Sequence, residues 1–221
     1  MLLSIENLSF GWHDELLFEN VDCQLNFGEM VVLLGDNGTG KTTMLKLMAG
    51  MIPHFSRGKR LEGDILVLDR SIIQNSPKSF FMQIAYLPSR NVDFFLLTTN
   101  MEEETALVEG ILQSDDGDVR QRKEKLYGFF PDLDTLWEKS FSTMNVYQKN
   151  LCLLSIHFLQ GAILFLIDDI WECVPGDRRK DWQEFFNHLL GQGCGIIFTS
   201  HESIFQDTTV WKIAGNSVRT G

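Results

Sequence analysis

Apolar and polar positions follow two rhythms along this chain, and their order predicts its elements. Residues 3–10 form an apolar, strand-like opening. After a turn at His13, Asp14 and Glu15, the residues Val21, Cys23, Leu25 and Phe27 alternate with Asp22, Gln24 and Asn26. That period of two marks a half-buried strand. Residues 30–34, Met-Val-Val-Leu-Leu, predict a buried strand, and residues 43–49 a helix. Residues 53–63, with Pro53, His54, Ser56, Arg57, Gly58, Lys59 and Gly63, read as a loop. Residues 65–68 and 84–87 are further strands. Residues 102–113, 120–130 and 133–139 read as helices, with polar breaks at 114–117 and at Pro131 and Asp132. Residues 146–159 are apolar all round, which implies a buried helix. A strand at 163–167 follows. Then Trp182, Phe185, Phe186, Leu189 and Leu190 fall on one helical face, ended by Gly191 or Gly193. A strand at 195–199 and a small hairpin over 210–213 and 217–219 complete the pattern.

Composition narrows this picture. The 221 residues, 44% hydrophobic, suffice for one full α/β core. The most apolar stretch, 151–167, is interrupted by Ser155, His157, Gln160 and Gly161. It reads as a helix running into a strand, not a membrane span. The N-terminus lacks the basic-then-apolar character of a signal peptide. The net charge of −11 argues against nucleic acid as the main partner, because phosphate backbones need a basic face. Cys23, Cys152, Cys173 and Cys194 show no CxxC pairing and read as reduced, packed thiols of a cytosolic protein.

Between the buried strand and the first helix lies Gly35-Asp36-Asn37-Gly38-Thr39-Gly40-Lys41-Thr42-Thr43, which fits G-x-x-x-x-G-K-[ST]. Strand, glycine-rich loop and helix together are the context that gives the P-loop its meaning. The glycines allow backbone N–H groups to turn inward, and the helix adds its positive N-terminal end. Asp36, Asn37, Gly38, Thr39, Gly40, Lys41, Thr42 and Thr43 are the expected phosphate cradle. Lys41 is expected on the β- and γ-phosphates of ATP, and the Thr42 hydroxyl on Mg²⁺.

Two further strand ends carry chemistry. The apolar run at 162–167 ends in Asp168 and Asp169. These are either two acids capping the next turn or, behind a P-loop, a metal-binding acid (Asp168) and a catalytic one (Asp169). The run at 196–199 ends in Ser200 and His201. That histidine is either a solvated turn residue or a group placed to contact the γ-phosphate and help position water. The absence of an N-K-x-D motif argues against a GTPase. The expected fold class is α/β, a P-loop NTPase core with a mostly parallel sheet. A flanking antiparallel β subdomain and an inserted helical subdomain at about 88–150 are expected within a single domain, 1–221.

The motifs, in this order, resemble the ATP-binding subunits of ABC transporters over essentially the whole chain. The resemblance makes Trp12, in Leu8-Ser9-Phe10-Gly11-Trp12, the aromatic on which adenine stacks. Ile52-Pro53-His54-Phe55 and Thr99 with Glu102, Glu103 and Glu104 are most similar to energy-coupling-factor importers. The resemblance also implies partners: a second ATP-binding subunit and a membrane-spanning transporter subunit. The implied location is the cytoplasmic face of the cell membrane. Phe94, Phe95, Leu96 and Leu97 are either a docking surface for that membrane subunit or filling for the helical subdomain.

Four positions depart from the family's pattern. The signature L-S-G-G-Q is replaced by Ser142-Thr143-Met144-Asn145, where Met144 and Asn145 are expected to intrude and restrict φ. The glutamine expected after Tyr86-Leu87-Pro88 is Ser89, too short to reach Mg²⁺ without a water. The second acid is Asp169 rather than glutamate, a retreat of ~1.5 Å, where a misplacement of about 1 Å can cost on the order of 100-fold in rate. Pro175 lies where an aspartate used for cross-talk between paired subunits is expected. These departures predict slow hydrolysis by the isolated chain and a place as the weaker half of a heterodimer, with a homodimer as the other arrangement. The competing expectation is a soluble nucleotide-binding regulator with little ATPase activity.

Overall fold

The chain in the computed structural model divides into two units. One comprises Met1–Tyr86, Ile163–Asp169 and Leu189–Gly221, the other Leu87–Ala162 and Ile170–His188. The structure describes residues 1–56, 58–80, 82–112, 116–201, 205 and 208–220. Arg57, Gln113, Ser114 and Asp115 of the expected loop, helix and polar break lie outside the described residues. In chain order the elements are β1 (Leu3–Gly11), β2 (Phe18–Leu25), β3 (Met30–Leu34), α1 (Lys41–Met48), α2 (Met51–His54), β4 (Arg60–Val67), β5 (Arg70–Ser71) and β6 (Ile84–Leu87). They continue with α3 (Met101–Leu112), α4 (Asp116–Phe129), α5 (Leu133–Leu136), α6 (Val146–Gln160), β7 (Leu164–Asp168), α7 (Arg179–Gly191), β8 (Gly195–Ser200), β9 (Thr209–Ala214) and β10 (Ser217–Thr220).

The first unit holds two sheets. A six-stranded sheet has the order β10-β9-β3-β8-β7-β6. Within it β3 runs parallel to β8 and β9, β7 runs parallel to β8, and β10 returns antiparallel to β9. β7 and β8 are buried throughout and β3 nearly so, which explains their unbroken apolar runs. An antiparallel sheet of order β2-β1-β4-β5 stands in the same unit. In β2, Val21, Cys23 and Leu25 are buried and their neighbours exposed, as the period of two requires.

Two expectations at this sheet need correction. Phe27 is not part of β2: the strand ends at Leu25, Phe27 is more than half exposed, and the chain turns at Gly28 with φ +73°. Nor is 53–63 all loop. α2 extends to His54, and β4 begins at Arg60. The start of β4 is polar and mostly exposed, so no apolar alternation announces it. Pairing of Arg60 with Gly11 and Leu61 with Phe10 makes it a strand. Gly63 (φ +82°) marks a register shift, because a Cβ there would stand 2.4 Å from the carbonyl oxygen of Asn7.

The second unit is built on α6, which packs against α3, α4 and α5. Asn145 caps α6 through a capping box: its side chain accepts from Gln148 N, and the Gln148 side chain accepts from Asn145 N. Trp182, Phe185 and Phe186 of α7 are buried as their spacing predicts. Phe185 meets Phe129 of α4 and Phe158 of α6 edge to face, at 5.4 and 5.2 Å between ring centres. Among the described residues no helix is long and apolar enough to cross a membrane. Cys23, Cys152 and Cys194 are buried and Cys173 half-buried, all as free thiols.

Candidate nucleotide site

The carboxyl ends of β3, β8 and β7, neighbours in the parallel sheet, bring the sequence-predicted site residues together. Such an edge is where open α/β sheets place ligands. The loop after β3 owes its path to its glycines. A Cβ on Gly35 would lie 2.6 Å from Thr39 Oγ1. Gly40 has φ +102°, and a Cβ there would lie 2.8 Å from Phe18 Cζ. Thr39 closes the turn, its N and Oγ1 both donating to the Asp36 carbonyl, at 3.3 and 2.9 Å. Asp36, Asn37 and Gly38 are exposed at the loop tip. Gly40 is the N-cap of α1, with no side-chain cap and no acid in the first turn. The N-terminal amides of α1 therefore meet no competing carboxylate of their own helix.

Lys41 is buried with its ammonium at the loop. It donates to the carbonyls of Gly35 and Asp36, the latter at 3.1 Å, and lies 3.4 Å from His201 Nδ1. Burial lowers its pKa, opposed by the negative charges of Asp169, Asp168 and Asp36. One residue on, the Thr42 hydroxyl lies 3.0 and 2.9 Å from the two carboxylate oxygens of Asp168. Asp168 is only 2% exposed. Burial raises its pKa; hydrogen bonds from Thr42, Thr199 and Tyr86 pull it down, and the charge of Asp169 adds to the rise.

Asp169, next in the chain, adopts left-handed φ (+51°), a conformation aspartate tolerates better than most residues. Its Oδ2 lies 3.5 Å from His201 Nε2. Trp12 follows the end of β1, 36% exposed, packed edge to face on Phe10 at 5.0 Å. Its indole N–H points to Thr43 Oγ1 at 3.4 Å. It borders a surface hollow of about 450 Å³ lined also by residues 13–17. Thus Trp12, the loop 35–43, Asp168, Asp169 and His201 all belong to the first unit and join through these contacts. Ser89 belongs to the second unit, half-buried just beyond β6.

The donor set fits a hard divalent cation: one hydroxyl and one carboxylate, with no sulfur. Among the described residues no cluster of three or more His, Cys, Asp or Glu side chains could hold a metal alone. The Thr42–Asp168 pair suits Mg²⁺, which binds through one or two protein oxygens plus substrate phosphates and water.

Two contributors to the site were not picked out from sequence. Thr199 donates to Asp168 Oδ1 at 3.1 Å, and Tyr86 to Oδ2 at 3.4 Å. The available signal was a polar group inside an otherwise apolar strand, where it needs a partner.

The departing signature region also needs correction. Met144 does not intrude outward; it is 6% exposed, with its sulfur 3.7 Å from Cys152 Sγ. Met144 and Asn145 have φ of −87° and −75°, ordinary for any residue. Neither position needs glycine in this fold. Ser142 and Thr143 remain exposed in the preceding turn, where Thr143 Oγ1 donates to the Ser140 carbonyl at 2.8 Å.

A phosphate-type loop, a hydroxyl–acid pair and a histidine, set on a mixed sheet flanked by an antiparallel one, define an ATPase of the P-loop class. A family described as ABC transporter matches residues 18–171, and the chain belongs to that family, as an ATP-binding subunit of ABC type. It is 28% identical over 201 residues to the cytochrome c biogenesis ATP-binding export protein CcmA of Reclinomonas americana, covering 90% of this chain and 83% of that protein. It is 23% identical over 210 residues to the energy-coupling factor transporter ATP-binding protein EcfA1 of Thermotoga maritima, covering 94% and 75%. Among solved structures, an ATP-binding subunit of an ABC transporter superposes over the full chain and 90% of its own, with TM-score 0.84 and 23% identity. A dimeric ATP-binding cassette with bound ADP and phosphate covers all of this chain and 98% of its own, with TM-score 0.79 and 13% identity.

Proposed function

We propose that this chain, acting as one domain over 1–221, binds MgATP and hydrolyses it slowly to drive a separate membrane-spanning subunit. We place it on the cytoplasmic face of the membrane as the weaker half of a heterodimer. The observation that carries this reading is the Thr42–Asp168 pair at 2.9 Å beside the Lys41 ammonium. Backbone amides of residues 36–43 and the start of α1 bind the phosphates, and Lys41 neutralises their charge. Thr42 and Asp168 would hold Mg²⁺, which when bound would neutralise phosphate charge and orient the triphosphate. Trp12 stacks on the adenine, worth about 1–3 kcal/mol per base. Asp169 and His201 orient the attacking water, and Asp169 accepts its proton.

Three features support slow turnover. Asp169 is one methylene shorter than the family's glutamate, Ser89 replaces a long polar side chain, and Pro175 stands at the expected cross-talk aspartate. Within the altered signature Met144 turns inward, while Asn145 stays exposed. The solved relative with ADP and phosphate is a dimer, which supports pairing. An exposed apolar segment supports the membrane partner: Phe94 is 82% exposed and Leu97 69%.

The test has two arms. The purified chain should bind a ribose-labelled fluorescent ATP in Mg²⁺ and lose about tenfold affinity on Trp12→Ala. It should turn over slowly; tens of turnovers per second by the isolated chain would sink the heterodimer reading. Affinity purification from detergent-solubilised membranes should bring down a multi-span protein and a second ATP-binding subunit. Recovery of the chain without either favours the soluble regulator.

A further inference from the structure

Asp168 is gripped from both sides of its own strand. In the sheet order β8-β7-β6, β7 lies in the middle and ends in Asp168. From β8, Thr199 donates to Oδ1 at 3.1 Å. From β6, Tyr86 lies 3.4 Å from Oδ2 and donates there. Each neighbouring strand thus offers one hydroxyl to one oxygen of the same carboxylate. The Thr42 hydroxyl spans both oxygens, but it has a single proton and is the exposed member of the group. Thr199 is fully buried and Tyr86 nearly so, in strands whose other residues are buried too.

That geometry has a consequence for rotation. A carboxylate held along one edge can still turn about its Cβ–Cγ bond, since that torsion is broad. A donor on each oxygen, coming from opposite sides, removes this freedom. The two donors use two of the roughly four lone-pair positions of the carboxylate. Tyr86 can only act as a donor to this acid while protonated. Burial and the neighbouring Asp168 charge raise its pKa, so it keeps its proton. Hydrogen bonds to the charged form oppose the larger rise that burial causes in the Asp168 pKa.

We propose that Tyr86 and Thr199 are positioning residues that fix the metal-binding orientation of the Asp168 carboxylate, one from each flanking strand. The proposal rests on Asp168 being the metal-binding acid.

The experiment measures binding, not turnover. The dissociation constant of a ribose-labelled fluorescent ATP is measured for the full chain in Mg²⁺ and in EDTA, and the ratio of the two is the gain due to the cation. Tyr86→Phe removes one oxygen and keeps the ring; it should reduce that gain about threefold. Thr199→Val is close in shape and should reduce it about tenfold, in the range found when groups that orient a metal ligand are removed. Affinity in EDTA should not change for either, and Thr199→Ser, which keeps the hydroxyl, should retain the gain. A purely packing role would lower affinity equally in Mg²⁺ and EDTA, and that result overturns the proposal, as does an unchanged gain in both variants. Asp168→Asn separates the two levels. If it leaves the gain intact, the metal role of Asp168 itself fails. If it abolishes the gain while Tyr86→Phe and Thr199→Val leave it, only the positioning role falls.

Discussion

His201 and Asp169 face each other, with Nε2 of the ring 3.5 Å from a carboxylate oxygen. The other ring nitrogen, Nδ1, lies 3.4 Å from the Lys41 ammonium. The imidazole thus stands between the ammonium and the carboxylate. His201→Ala and Asp169→Asn should each reduce single-turnover hydrolysis of MgATP about 100-fold in the assembled complex. The double variant should lose little more, since both act on one water. Binding of fluorescent ATP should stay close to wild type. Asp169→Glu should raise the rate if reach limits it; no gain would place the limit at the signature region instead.

The conformation of Gly40 gives a second prediction. Its φ of +102° is strained for any L side chain, and an added Cβ would collide with Phe18 and Leu17. Phe18 is fully buried, so its ring has no room to move aside. Gly40→Ala should destabilise the chain by roughly 1–3 kcal/mol, read from urea unfolding. It should also weaken ATP binding, because Gly40 is the N-cap of α1, whose first residues are Lys41 and Thr42. Gly38 has φ +82° but nothing within 4 Å of an added Cβ. Gly38→Ala should therefore cost less, about 1 kcal/mol.

Much of the site was legible because its chemistry is local in sequence. Loop, lysine and threonine follow one another, and both acids end one apolar strand. The place of His201 between Lys41 and Asp169 and the grip on Asp168 were not legible. They depend on β8 and β6 flanking β7, a sheet order that no local pattern encodes. The same holds for β4, whose polar start becomes a strand only by pairing with β1. The error at Met144 had a different origin. Family resemblance predicted a surface role for the position, while its apolar side chain reported burial correctly.

That correction is testable. If Met144 and Asn145 obstructed a surface loop, Met144→Gly with Asn145→Gly would improve the site. The structure predicts the opposite. Met144 fills space against Cys152, and large-to-small changes of this kind cost about 2–5 kcal/mol. Asn145 caps α6, and losing such a cap costs about 1 kcal/mol. The double glycine variant should unfold at markedly lower urea concentration and show no gain in turnover. Asn145→Ser, which can still cap, should stay near wild type.

Acid sensitivity should trace to His157. Its Nδ1 lies 2.9 Å from the Gln160 side-chain oxygen, and its Nε2 is sealed from water with no partner among the described residues. The residue as a whole is half-buried, but the atom that must take up the proton is not reachable by solvent. Burial lowers its pKa from 6.5 to about 4, against the opposing hydrogen bond to Gln160. Between those values the unfolded chain binds more protons than the folded one, so stability rises with pH across that window and levels off above it. Lowering the pH from 6.5 towards 4 should remove on the order of 3 kcal/mol through this residue. His157→Leu removes the titrating group. Its unfolding free energy, measured by urea between pH 4 and 7, should lose that part of the slope while the carboxylates keep theirs. Parallel pH profiles for the wild type and His157→Leu would show that the imidazole reaches water in the folded chain.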